Sequence, residues 1–285
     1  MRRAKLQAAS PLKSEIQNLK SHRPVTPALE VLYEDNHLLA VNKPAGLATM
    51  GTPGDRPTLL ALAKEYVKRK YHKPGNVYLG VMSRLDAPVT GVVLLARTSK
   101  AARRLTEQFR AHAAKKIYRA LVEGVIEPAA GRYVDWLAED ERHRRMHVVG
   151  PEHASRAAQA DADTFGSMAA PGSAACPGSA GHTAGRGARP AAKEARLAYR
   201  RLAMVGGSSL LEVELQTGRK HQIRLQLAYH GHPVAGDRKY GSRLRFPLGI
   251  ALHSWRLSVA HPVGGQRLDL EAPLPKTWPD ACRFF

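Results

Sequence analysis

Arg84-Leu85-Asp86-Ala87-Pro88-Val89-Thr90-Gly91-Val92-Val93-Leu94-Leu95-Ala96 sets a carboxylate, a Pro/Gly turn and an unbroken apolar run side by side. The run 92–96 has no polar face, as expected of a strand buried on both sides. The turn before it would hold Asp86 on a rigid edge and aim it into a cleft. A carboxylate so placed needs a partner to stay ionised.

Upstream, 31–33 and 38–41 read as two strands around an Asp35-Asn36 turn, and Lys43-Pro44-Ala45-Gly46 then breaks the pattern. Residues 59–70 are predicted helical, with Leu59, Leu62, Ala63 and Tyr66 on one face. Downstream, Ser99 is the expected N-cap of a helix that carries Leu105 and Phe109 four apart, with Arg103, Arg104 and Arg110 on its other sides. Residues 117–122 form the next strand, on which Tyr118, Ala120 and Val122 share a face. Residues 197–205 and 210–215 read as a hairpin around Gly206-Gly207, and 222–229 as a helix ended by Gly231. Trp255, Leu257 and Val259 alternate on a strand that Gly264-Gly265 turns back into 268–270. Strands outnumber helices and hairpins recur. The fold class is therefore α+β, a mixed and largely antiparallel sheet flanked by helices.

The 285 residues carry 44 Lys+Arg against 24 Asp+Glu, a formal charge of +20. That excess favours a polyanionic partner through counterion release, with a merely basic surface as the plainer reading. Cys176 and Cys282 form no C-x-x-C pattern, and the histidines form no H-E-x-x-H. Neither a disulfide framework nor a zinc site is expected, and the usage fits a reducing cytosol. No signal peptide or membrane-spanning run is read, so the expected location is cytoplasmic, without a membrane partner.

Residues 1–29 read as a basic flexible tail with room for a short helix over 11–19, and 30–285 as a single domain. Residues 166–192 contain no Leu, Ile, Val, Phe, Tyr or Trp. A stretch of that kind cannot bury enough surface to offset its ordering entropy. The expectation is a disordered Ala/Gly/Pro/Ser-rich insertion over 155–194, inside a hairpin of the domain.

A second dense segment, Thr217-Gly218-Arg219-Lys220-His221-Gln222-Ile223-Arg224, supplies candidate partners for Asp86. Arg224 offers a bidentate fork of fixed charge, and a purely structural ion pair is the competing reading. Arg84 points to the same side as Asp86 on an extended segment. It could fill the gap left by an extruded base, contact a phosphate, or be a surface charge. Tyr118 could stack on such a base or simply pack its strand. His221, Asp237 and Tyr240 read as scaffold, and His253 as a satisfied core or cleft histidine.

With these residues in view, the chain resembles the RluA-type pseudouridine synthases, a family that isomerises uridine in RNA. The matching segments are Tyr33 through Gly46, Arg84-Leu85-Asp86 through Gly91, Lys116-Ile117-Tyr118-Arg119-Ala120-Leu121-Val122, Thr217 through Gly241, Leu252 through Leu257, and Ala272-Pro273-Leu274-Pro275. The resemblance covers about 31–275 apart from the insertion, and implies a sheet with a central catalytic cleft. It implies that Asp86 is the catalytic aspartate and Arg224 its partner. Tyr118 is then the stacking residue and proposed proton acceptor at carbon 5, and Arg84 is associated with base flipping. Arg84, Lys220 and His221 form the expected substrate-contacting set. No metal or organic cofactor is expected, the partner is ribosomal or transfer RNA, and a monomer is expected. Ser83, Val89-Thr90-Gly91 and Gln226 depart from the family's usual residues, which bears on target choice more than on activity. Two rival readings stay open: an RNA-binding or chaperone protein that keeps the fold without chemistry, and a base-excising glycosylase using Asp86.

Overall fold

The computed structural model describes residues 29–51, 56–140, 145–150 and 192–285. Along them run β1 (Glu30–Glu34), β2 (Leu38–Lys43), α1 (Leu59–Lys70), β3 (Gly80–Val81), β4 (Thr90–Ala96), α2 (Ser99–Arg110) and β5 (Lys115–Glu123). There follow β6 (Ala130–Asp140), β7 (Arg145–Val149), β8 (Lys193–Val205), β9 (Ser208–Leu215), α3 (Gln222–Tyr229), β10 (Leu252–Ala260) and β11 (Arg267–Glu271). The strands form one sheet in the order β1-β2-β4-β10-β5-β9-β8-β6-β7, with β3 on β4 and β11 on β10. Its pairings are antiparallel except β4 with β10, so the α+β reading holds.

The apolar run of β4 is buried at every residue because the sheet is covered on both faces there. Alternation divides its side chains. Val93 and Leu95, with Leu39 and Val41 of β2, pack against Leu59, Ala63 and Val67 of α1. Val92, Leu94 and Ala96, with Leu38 and Ala40, pack against Ala101 and Leu105 of α2. Each fully buried leucine contributes about 2 kcal/mol.

β4 meets β10 through only two residue pairs, Thr90 with His253 and Gly91 with Ser254. Gly91 sits at φ +112°, and a Cβ there would fall 2.2 Å from the Ser254 carbonyl oxygen. Only glycine lets the two strands close. Past this point β10 carries a bulge between Ser254 and Arg256, opposite Tyr118 and Ile117 of β5. Bulges of this kind re-aim side chains beside functional clefts.

Three expectations need correction or placing. The cap of α2 is Thr98, whose side chain accepts a hydrogen bond from Ala101 N–H; Ser99 is already helical. Thr98 is still in extended conformation, which puts its hydroxyl over the open N–H groups. Lys193 and Glu194, assigned to the insertion, belong to β8 and pair with Leu137 and Trp136 of β6. β7 and β8 are also not a hairpin: both pair with β6, one on each side. The rest of the expected insertion, 155–191, lies outside the described residues, as do 1–28 of the expected tail with its short helix.

Candidate active site

Two walls enclose a cleft of about 470 Å³, within the range of small-ligand sites. The first is the loop that carries Asp86, and its backbone is fastened on every side. The Thr49 hydroxyl donates to Leu85 C=O at 2.8 Å and accepts from Leu85 N–H at 3.1 Å. Val89 N–H turns back onto Asp86 C=O, Gly46 N–H donates to Ala87 C=O, and Ile250 N–H to Pro88 C=O. Gly249, at φ +76°, lies so close beneath that a Cβ would sit 2.3 Å from the Pro88 carbonyl oxygen.

Lys43 completes this wall from inside. Its side chain is fully buried, and Nζ donates to the carbonyls of Pro44, Leu47 and Ala87 at 2.8, 2.7 and 3.0 Å. Burial pulls its pKa down to about 7, with the Asp86 charge working the other way. Three carbonyls use all three ammonium protons, so the charge has its full set of acceptors.

The second wall is the turn 217–221 and α3. Gln222 builds it: its Oε1 accepts from Thr217 Oγ1 and Arg219 N–H, while Nε2 donates to Arg196 C=O. His221 takes a left-handed backbone, φ 55°, an uncommon state outside glycine. Its Nδ1 lies 2.6 Å from Tyr240 Oη and its Nε2 3.7 Å from Asp86 Oδ2. Burial lowers the pKa of His221, aided by Arg224, Lys239 and Lys220 and opposed by Asp86.

Arg224 joins the walls. Its NH1 donates to Asp86 Oδ2 at 2.8 Å, while Nε and NH2 grip both oxygens of Asp237 at 2.6 and 2.9 Å. Burial opposes the guanidinium charge, but Asp237 and then Asp86 outweigh it and hold its pKa above the ordinary arginine value. Asp237 is almost wholly buried, whereas the Asp86 side chain stays 29 % exposed. One carboxylate anchors the arginine and the other is presented to the cleft. Tyr118 lies on the cleft lining with its hydroxyl hydrogen-bonded to Ser254, and burial pushes its pKa up to about 12.

A family model described as RNA pseudouridylate synthase matches residues 37–229, which include Asp86, Tyr118 and Arg224. The chain belongs to the RNA pseudouridylate synthase family. It is 31% identical over 278 residues to ribosomal large subunit pseudouridine synthase D of Nitrosomonas europaea, covering 92% of this chain and 66% of that protein. Identity is 32% over 266 residues to tRNA pseudouridine synthase C of Salmonella typhimurium, covering 90% of each. Among solved structures, human RNA pseudouridylate synthase domain containing 4 superposes with a TM-score of 0.62 at 22% identity. That match covers 87% of this chain and 89% of the human one, and shows a common fold.

The pseudouridylate synthase cleft gathers the residues read from the sequence: Arg84, Asp86, Tyr118, Lys220, His221 and Arg224 all line it. Lys220 is also ion-paired with Glu139, and Arg84 has no hydrogen-bond or ion-pair partner among the described residues. His253 is a satisfied core residue, bonded to Thr90 Oγ1 and Ala272 C=O. Asp237, read as scaffold, is the main anchor of Arg224. Thr49 was missed outright, and Lys43 was seen only as part of a matching motif. Gln226, a departure from the family pattern, is a fully buried residue of α3 and donates to Asp135 Oδ2 and Ala195 C=O.

Proposed function

We propose that this chain isomerises uridine to pseudouridine in RNA and that Asp86 is the group acting at the sugar. The observation that carries the reading is the Asp86–Arg224–Asp237 chain of charges, which holds one ionised carboxylate at the cleft that Tyr118 lines. The formal charge of +20 suits a polyanionic substrate.

Ionised Asp86 can add to the anomeric carbon as the glycosidic pair leaves with the base, or take the sugar's 2′ proton as the base departs. In the first route carbon 5 of the turned base displaces the Asp86 carboxylate from the anomeric carbon; in the second it adds to the anomeric carbon of the unsaturated sugar while Asp86 returns the 2′ proton. In both, the carbon-5 proton then leaves to a base in the site and nitrogen 1 takes up a proton. The cleft must hold the free base and exclude water throughout, or an abasic sugar results. Arg224 supports this by orienting Asp86 through its NH1 hydrogen bond. Tyr118 supports it by stacking; with its pKa near 12 the phenol enters the reaction protonated, so accepting the carbon-5 proton requires giving up its own. Arg84, Lys220 and His221 are the proposed RNA contacts around the target.

The substrate is ribosomal or transfer RNA, since relatives named for each match at similar identity. The catalytic set comes from one chain, which supports action as a monomer. The proposed location is cytoplasmic; no described helix is long and apolar enough to cross a membrane.

The test is Asp86→Asn. Pseudouridine mapping in total RNA from cells with and without the gene should show a site restored by wild type and not by the variant, while the variant binds RNA normally. Pseudouridine formed by the variant would remove Asp86 from the chemistry. Free uracil from the wild type would replace the isomerase with a glycosylase.

A further inference from the structure

The cations of this cleft fall into two groups. Arg224 is saturated by Asp86 and Asp237, Lys220 is paired with Glu139, and Arg219 Nε donates to Glu194 C=O. Lys116 is different. It lies on β5 two residues before Tyr118, so both side chains leave the same face of the strand. Its Nζ reaches Gly218, lying 3.6 Å from where a Cβ on that residue would stand, and Gly218 lines the cleft. The Lys116 side chain is partly buried, yet among the described residues it has no carboxylate, carbonyl or hydroxyl partner.

An ammonium withdrawn from water without a counter-ion is costly to the folded protein. Burial accordingly lowers its pKa, with no opposing charge to restore it. Its neighbour Lys115 is paired with Glu214, so the strand had an acid at hand for the other face and none for this one. A partly buried cation beside the cleft-lining Gly218, without an acid among the described residues while Lys115 and Lys220 each have one, can take an anion from outside the chain. Gly218 beside it carries no side chain to shield it.

We propose that Lys116 binds a backbone phosphate of the RNA next to the target nucleotide and so sets the register of the strand over Tyr118 and Asp86. This deepens the uridine isomerase reading and rests on it for the position of the target. Arg84, on the Asp86 wall and also unpaired, would contact the strand on the other side of the cleft. Lys116 is a binding residue, and the chemical step does not pass through it.

The experiment uses the full chain and Lys116→Met, which keeps the apolar stem and removes the charge, with Lys116→Arg as rescue. The Kd for a short fluorescein-labelled single-stranded RNA containing uridine is measured across sodium chloride concentrations. One lost phosphate contact should reduce the slope of log K against log salt by about 0.7. It should also weaken binding several-fold at low salt, with Tm equal to wild type or higher because an unpaired, partly buried charge is removed, and with Lys116→Arg binding close to wild type. In turnover on transcribed RNA, KM should rise and kcat stay level. An unchanged slope overturns the proposal, whether or not Tm falls; a fall in Tm with that slope would mark Lys116 as structural. A wild type that binds this RNA with salt dependence but forms no pseudouridine would sink the isomerase reading and leave the Lys116 slope interpretable.

Discussion

The two walls of the cleft are held by different physics. The Asp86 wall is fastened through main-chain groups: Thr49 on Leu85, Gly46 and Lys43 on Ala87, Ile250 on Pro88, and the close approach of Gly91 to Ser254. The Arg224 wall is fastened through side-chain charge and amide groups: Asp237 on Arg224, Gln222 on Thr217 and Arg219. The first fixes the position of the Asp86 carboxylate, and the second sets a guanidinium against it. Damage to the first should therefore register as stability. Damage to the second should register as activity and stability together.

The strongest attempt to break this contrast is Gly91→Ala. A Cβ at 2.2 Å from a backbone oxygen has no flexible neighbour to displace, and the positive φ adds strain. Little folded protein is expected, read as loss of a cooperative melt; an intact Tm would show that β4 and β10 can part without harm. Next is Asp237→Asn, which leaves Arg224 to Asp86 alone. Breaking a buried pair costs about 3 kcal/mol, a fall in Tm of about 6–12 °C. Turnover should fall about a hundredfold as Arg224 shifts and Asp86 is misaligned, an effect of about 2.7 kcal/mol on the barrier. Full activity in that variant would make Asp237 dispensable to the site. The smallest effect is Thr49→Val, which leaves the N–H and C=O of Leu85 unpaired at a cost of about 2 kcal/mol. Calorimetry should show a Tm lower by about 4–8 °C with kcat within a few-fold of wild type. A larger loss of kcat than of stability would erase the distinction between the walls.

The legible parts of the fold were those where polarity and burial agree. β4 and the helix α1 announce themselves because every inward position is apolar. β6 was missed because it inverts the pattern: Asp135 is buried while Val134 is 58 % exposed. The buried carboxylate is intelligible only once Gln226 and His230 are seen beside it, contributed by a helix far along the chain. β7 is short and flanked by undescribed residues, and β3 has two residues, too few for any period to show.

The site divides in the same way. Asp86, Tyr118, Arg224, Arg84, Lys220 and His221 stand in dense motifs, and the pairing of Asp86 with Arg224 follows from charge. The supports do not. Lys43 reaches Ala87 across 44 residues and Thr49 reaches Leu85 across 36, and both act through carbonyls that every residue possesses. No residue type in the sequence marks which carbonyl is used. Asp237 lies 13 residues from Arg224, close enough to be guessed, but a second acid on one arginine is not implied by motif spacing.

Lys43 has one more consequence. A positive centre ringed by the oxygens of Pro44, Leu47 and Ala87 is the environment that a dissolved monovalent ion would occupy. Here the ion is tethered to the chain by its own side chain, so it cannot be exchanged, diluted or chelated away. The loop that presents Asp86 thus carries its own electrolyte. With a pKa of about 7 the centre is fully charged only below neutrality, so the loop answers to pH rather than to the counter-ions that any RNA brings with it.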